Sequence, residues 1–248
     1  MTKLNYKTYQ LSLRDWGKVI GLSLGVTSFI AGVFYHSGWA MCLLPAVLLF
    51  AAKREVKAKI EARKQKLLAE FMNGMQVLSA SLQAGFSMEN AWKEVQRELL
   101  TMYGETSDFY REVKEMNQSV ALNMPIEKLF LEFAYRTELE DIISFGEIFD
   151  YGKRNGGNWR KIIDKTIYCI SERYETTREI EVLLAAKKLE QQIMNVVPIG
   201  ILLFLQISSW EYMQILYHNW AGIICMTLCL LIYGLSVFYS EKIMSIQV

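Results

Sequence analysis

The sequence predicts an all-α, multi-pass membrane protein with four transmembrane helices and a cytosolic helical bundle inserted between spans 2 and 3. Three observations predict it. Charge is segregated: of 53 charged residues in a chain of 248, 45 fall between Lys53 and Glu190, 22 basic and 23 acidic. On either side stand apolar runs of membrane length, the first being 34 residues (19–52) without Asp, Glu, Lys or Arg. Inside the charged region apolar residues recur at steps of three and four, and no strand-length alternation bounded by turn signals occurs. Lys and Arg (27) balance Asp and Glu (26), which argues against nucleic-acid binding through bulk positive charge. With 3 prolines, 15 glycines and 52% hydrophobic residues, the chain is neither collagen-like nor disordered.

The first apolar run is too long for one crossing. As a single helix it would measure ~51 Å against a hydrocarbon core of ~30 Å. His36-Ser37-Gly38 suits a reversal near its middle, so two helices are expected at 18–35 and 39–52, the second containing Pro45. A third span is expected from Ile193 to Trp210, and a fourth, the most uniformly apolar, from Trp220 to Tyr239. Trp210, Tyr212, Tyr217 and Trp220 border the connection between them, as in an aromatic belt. Lys3, Lys7, Arg14 and Lys18 precede the first span, seven cations from Lys53 to Lys66 follow the second, and Lys187, Lys188 and Lys242 flank the last pair. The two short connections, 36–38 and 211–219, carry no Lys or Arg. With four crossings every basic flank lies on one side, so both termini and the insert are expected in the cytosol. The resulting division is a tail at 1–18, a hairpin of spans at 19–52, a helical domain at 53–192, a second pair of spans at 193–240 and a tail at 241–248. A cleaved leader fits poorly, because the first apolar stretch passes straight into another.

The insert reads as consecutive helices. Leu67, Leu68, Phe71, Met75, Leu78 and Leu82 share one face, Gly85 stops that helix, and Ser87 caps the next. Met88, Ala91, Trp92, Val95, Leu99 and Met102 line the second helix, which ends at Gly104. Phe109, Val113, Met116 and Val120 line a third, from about 107 to 122. Pro125 opens a fourth, with Ile126, Leu129, Phe130 and Phe133. Thr137-Glu138-Leu139-Glu140 has the form of a capping box, in which the Thr137 hydroxyl accepts from the amide of residue 140. Leu139, Ile142, Phe145 and Phe149 follow. Asn155-Gly156-Gly157-Asn158 ends that helix, and the last one runs from Trp159 toward the membrane with Ile163, Ile167, Ile170, Tyr174, Leu183 and Leu184 as its apolar positions.

Catalytic signatures are missing. The two histidines, His36 and His218, fall in the expected external connections, and no phosphate-binding, dinucleotide, zinc-protease or serine-hydrolase motif occurs. No catalytic residue, cofactor or metal site is therefore expected, and the chain reads as a non-enzyme. Glu138, Glu140 and Asp141 could be metal ligands, but at a helix start they suit the macrodipole. Cys42, Cys169, Cys225 and Cys229 form no close pair and read as reduced, packed thiols. The basic run 53–66 could meet anionic lipid as well as set topology. Gly200, Gly222 and Gly234 could allow close helix approach, though ordinary membrane glycines are the simpler reading.

The stretch Phe71-x6-Leu78-x3-Leu82-x-Ala84-Gly85-Phe86-Ser87-x3-Ala91 resembles the opening signature of the type II secretion system F (GspF/PilC/TadB/TadC) family. Pro125-x3-Leu129, Phe145 to Phe149, the turn at Gly156-Gly157, Arg173 and Pro198 resemble its second helical half, and Asn123 stands where many members have glycine. The likeness covers roughly residues 67–240 and rests on packing and turn residues. It implies an inner-membrane platform protein of a type II secretion or type IV pilus machine, and a single such domain is most like the Tad-type pilus members. The implied partners are a cytosolic secretion ATPase, pilin or pseudopilin subunits, a paralogous platform subunit or a second copy, and membrane lipids, with no nucleic acid. The alternative is a small four-span signalling or transport protein with a cytosolic helical sensing domain.

Overall fold

The computed structural model describes residues 6, 13–30, 32, 44–154, 159–208 and 220–244. Its elements are all helical: α1 (Leu13–Ile30), α2 (Leu44–Gln83), α3 (Met88–Tyr103), α4 (Asp108–Val120), α5 (Ile126–Thr137), α6 (Glu140–Arg154), α7 (Trp159–Ser208) and α8 (Trp220–Met244). No strand occurs among the described residues. The chain divides into two units, one comprising Met1–Gln10 with Val56–Glu175, the other Leu11–Glu55 with Thr176–Val248.

The first unit is a helical bundle whose core is largely the set of periodic positions. Leu67, Phe71, Met75, Leu78 and Leu82 of α2 are buried, as are Ala91, Trp92, Val95 and Leu99 of α3 and Phe109, Val113 and Met116 of α4. Ile126, Phe130 and Phe133 of α5, Ile142, Phe145 and Phe149 of α6, and Ile163, Ile167 and Ile170 of α7 complete it. Phe130 is the hub. Its ring lies 5.2 to 6.1 Å from those of Phe71, Trp92, Phe145 and Phe149 and 5.6 Å from Phe133, mostly edge-on or tilted, the geometry the ring quadrupole favours. Two expected core positions are exposed, Met102 and Leu183. Met102 is in the last turn of α3, and Leu183 lies past the point where α7 leaves the bundle unit.

Two glycines inside helices mark close crossings. A Cβ on Gly74 would lie 2.6 Å from the Phe109 ring and 3.3 Å from Val95, and one on Gly146 would lie 3.1 Å from the Ala134 methyl. The helices approach there because no side chain intervenes.

The turns follow local chemistry. Gly85, at φ 91°, closes α2: the Phe86 amide donates to the Ser81 carbonyl at 3.1 Å and the Gly85 amide to Leu82 at 3.1 Å, a Schellman pattern. Asn123, at φ 64°, does the same after α4, with the Met124 amide donating to Ser119 and its own to Val120. Asn tolerates left-handed angles better than other non-glycine residues, which suits it to this position. Ser87 and Ser107 accept from the amides of Asn90 and Tyr110 at the starts of α3 and α4, and Pro125 immediately precedes α5.

The expected capping box is not formed. Helix α5 continues through Thr137, Glu138 adopts left-handed angles (φ 57°), and α6 begins at Glu140. The Thr137 hydroxyl therefore donates to the Ala134 carbonyl at 2.7 Å and accepts from the Leu139 amide at 3.3 Å. A turn closed by one left-handed residue puts threonine too early to cap the next helix.

The second unit differs in surface. Large apolar side chains of α1, including Ile20, Leu22, Leu24 and Phe29, are exposed, as are Ile193, Met194, Val196, Ile201, Phe204 and Ile207 of α7 and Ile224, Leu228, Leu231, Leu235 and Phe238 of α8. Among the described residues α7, over Lys161–Ser208, is the one helix long and apolar enough to cross a membrane, and Ile224–Ser240 of α8 is a shorter apolar stretch. Helix α2 runs unbroken past Ala52, from the apolar stretch into the bundle. Pro45 lies in α2, next to its first described residue, Leu44. Residues 44–52, the described part of that span, amount to ~13 Å of helix. Helix α1 begins five residues before the expected position, at Leu13. The reversal at 36–38, the turn at 155–158 and the connection at 211–219 lie outside the described residues. A methyl added to Gly200 or Gly234 would meet no atom within 4 Å, so among the described residues neither glycine marks a close helix crossing.

Candidate functional site: a buried ionic clasp

The residues of the secretion-family resemblance fall mainly in the core and the turns. Phe71, Leu78, Leu82 and Ala91 are buried in the core, Gly85 supplies the left-handed turn, and Pro125 precedes α5. Pro198 sits inside α7 and is exposed. Gly156 and Gly157 lie outside the described residues. Arg173 pairs with Asp141 at 3.3 Å and Glu138 with Lys64 at 3.4 Å, so these two acids act as counter-ions for α7 and α2. Among the described residues no group of three or more His, Cys, Asp or Glu is placed to hold a metal ion. Cys169, Cys225 and Cys229 are unpaired, but exposed rather than packed.

The most concentrated polar chemistry lies elsewhere, on residues the apolar pattern does not single out. Tyr6 is 2% exposed and belongs to the bundle unit. Its hydroxyl donates to Glu112 Oε1 at 3.1 Å. Glu112, itself 4% exposed, receives both Arg136 Nη1 (3.0 Å) and Nη2 (2.6 Å), a two-pronged pair whose geometry suits guanidinium and carboxylate. The Arg63 guanidinium lies 5.1 Å from the centre of the Tyr6 ring and donates through Nε to Asp108 Oδ2 at 2.7 Å. Phe133 meets the same ring edge-on at 6.4 Å. Charges thus alternate from Asp108 through Arg63, across the tyrosine, to Glu112 and Arg136, tying α2, α4 and α5 to Tyr6.

Electrostatics act on two members of this arrangement, Tyr6 and Arg136. Burial, then the negative charges of Glu112 and Asp108, push the Tyr6 phenol well above the usual tyrosine range, against the opposing pull of Arg136. The phenol stays a donor. Burial works against the Arg136 charge, but the Glu112 hydrogen bond and charge outweigh it and raise that pKa. A carboxylate already engaged by a guanidinium and a phenol is suited to holding, not to proton transfer.

A second buried carboxylate stands beside the clasp. Glu70, 1% exposed, accepts from the Ser107 hydroxyl at 2.9 Å and the Phe109 amide at 3.2 Å, with Lys66 at 3.8 Å. It therefore caps α4 from α2, where negative charge meets the positive end of the helix. Ser79 donates to Asp164 at 2.8 Å and joins α2 to α7.

Fold and site together define an all-α protein whose packed bundle is clasped by ionic pairs around Tyr6. The chain matches no family model, no curated protein and no solved structure.

Proposed function

We propose that this chain is a platform subunit in the cytoplasmic membrane that couples a cytosolic secretion ATPase to pilin assembly or protein export, in a type II secretion or Tad-like type IV pilus machine. The observation that carries the reading is the contrast between the two units. One has a closed core of aromatic and aliphatic side chains, while the helices of the other expose apolar surface along their length. Water does not solvate such a surface without large cost, whereas lipid does. The choice of machine is supported by the turn and packing residues that resemble the secretion F family.

In this reading the chain crosses the bilayer four times, with both termini and the bundle in the cytosol. Tyr6 supports the parity. A residue packed inside the bundle stands on the bundle's side of the membrane, so the stretch between them makes an even number of crossings. Both boundaries between the units fall inside helices, α2 at Glu55 and α7 at Glu175. A helix passing through such a boundary carries displacement from one side to the other without chemistry of its own. The ATPase meets charged faces of the bundle, and pilin or a platform partner meets the spans.

Deleting the gene and assaying surface filaments or exported protein tests the proposal. Loss of both, restored by the gene in trans, is the expected result, and normal filaments refute it. Reporters fused after residues 10, 120 and 248 test the topology independently, all three being expected on the cytosolic side.

A further inference from the structure

We infer that the turn of α7 from Met194 to Pro198 is a hinge and that Tyr233 of α8 is its latch, a conformational device within the second unit that sets the direction of the apolar end of α7. The inference is independent of the secretion reading. Helix α7 runs from Trp159 to Ser208 with Pro198 inside it. Proline has no amide to give the Met194 carbonyl, and its ring presses on that carbonyl. Pro198 and Met194 are both exposed, so the hydrogen-bond ladder is opened on the outward face of α7. An opening there bends the axis toward the opposite face, where Gln191, Asn195 and Ile199 are half-buried.

On that inward face α7 is held by α8. Gln191 Nε2 donates to Ser240 Oγ at 2.6 Å, and the Tyr233 hydroxyl donates to the Asn195 carbonyl at 2.7 Å. All four residues belong to the second unit. The first bond clips α7 to α8 about two turns before the proline, and the second closes on the weakened turn itself. Beyond the proline, Gln206 donates to the Gly32 carbonyl at 3.3 Å, so that part of α7 has a partner outside α8. Met226, Leu230, Tyr233, Val237 and Ser240 recur at steps of three and four on the less exposed face of α8, where a phenylalanine ring would pack as well as a tyrosine. The hydroxyl is what packing does not require. Its acceptor is main chain, with a second lone pair free for a donor outside the helix, so the bond constrains the backbone of the hinge turn directly. While it holds, the stretch from Ile199 to Ser208 keeps one direction. On release that stretch turns about Pro198 and carries the exposed Ile201, Phe204 and Ile207 with it.

The test is the distance between spin labels at Leu189→Cys and Ile207→Cys, both exposed positions of α7, measured by pulsed electron spin resonance. The full-length chain is used in detergent, with its four native cysteines replaced by serine. In a straight helix the two positions stand ~27 Å apart. This parent is expected to give one dominant distance below that value. Tyr233→Phe is expected to raise the minor population about fivefold, the effect of losing one neutral hydrogen bond. Pro198→Ala is expected to bring the distance to ~27 Å and to abolish the response to Tyr233→Phe. Identical distributions in the parent and Tyr233→Phe overturn the latch, and a distribution unchanged by Pro198→Ala overturns the hinge. A response to Tyr233→Phe that survives in the Pro198→Ala background makes the bond an ordinary helix contact and also overturns the inference. Loss of helix content by circular dichroism in Tyr233→Phe makes the hydroxyl a requirement of folding, which overturns it as well.

Discussion

Glu112 is a carboxylate in an otherwise apolar stripe of α4, and its pairing with Arg136 decides what substitutions cost. Arg136→Ala leaves a buried negative charge without its guanidinium and is expected to lower stability by ~3 kcal/mol. The double variant Glu112→Gln/Arg136→Met is expected to lose less than the sum of the single changes, which urea unfolding of all four proteins measures. Tyr6 adds a pH dependence. Its folded pKa lies above the unfolded value of about 10, so its contribution is complete below pH ~10 and lost as pH rises through the folded value. The stability that Tyr6 contributes should therefore persist to about pH 10 and fall beyond it, as urea unfolding across that range would report. Tyr6→Phe should show no alkaline loss from this group. Glu112 was legible in part: it lies three residues after Phe109 and four before Met116, on the face the apolar spacing marks as inward. Glu70, three residues after Leu67, gives the same signal. A charged residue at an inward position demands a partner. Tyr6 gave no signal, since a lone aromatic in a polar segment belongs to no periodicity, and its partner lies 106 residues away.

At the scale of the element, glycines and turns show what spacing reveals. The inward faces of α2 to α7 were readable from steps of three and four, because burial on one side of a helix leaves that imprint. Gly74 was not, since it also falls on the inward face of α2 where any small residue would fit the pattern. Only the approach of Phe109 shows that a methyl is excluded. Gly74→Ala is expected to cost ~1–3 kcal/mol by displacing that ring, although alanine is the better helix former; thermal unfolding reports the sign. The turn at Glu138 behaves oppositely. Glycine there relieves left-handed strain and should be tolerated, whereas Glu138→Val is expected to lose ~1–2 kcal/mol. The sequence hid this turn because Thr137 imitates a helix cap. A threonine followed three residues later by a glutamate is the same string whether it begins one helix or ends another.

For the whole molecule, the segregation of charge told where the bundle lies, and the apolar runs told which helices expose apolar surface. The joins were legible too: no glycine or proline stands between Val47 and Asn73 or between Trp159 and Val197, and α2 and α7 run unbroken there. The continuity is testable. Glu175→Pro breaks α7 where the units meet, at ~3 kcal/mol for an interior proline. If the proposed platform role holds, the expected outcome is a protein that still requires detergent for extraction and still shows cooperative unfolding of its bundle, but supports no filaments. The clasp also has a bearing on synthesis. Ribosomes deliver Tyr6 first, and its receptor is unfinished until Arg136 has been made. In the platform reading proposed above, α1 is thus handed to the insertion machinery while the tyrosine has nowhere to dock. Burial of Tyr6 accordingly follows synthesis of residue 136, and in a nascent chain halted before residue 112 its phenol should be open to iodination.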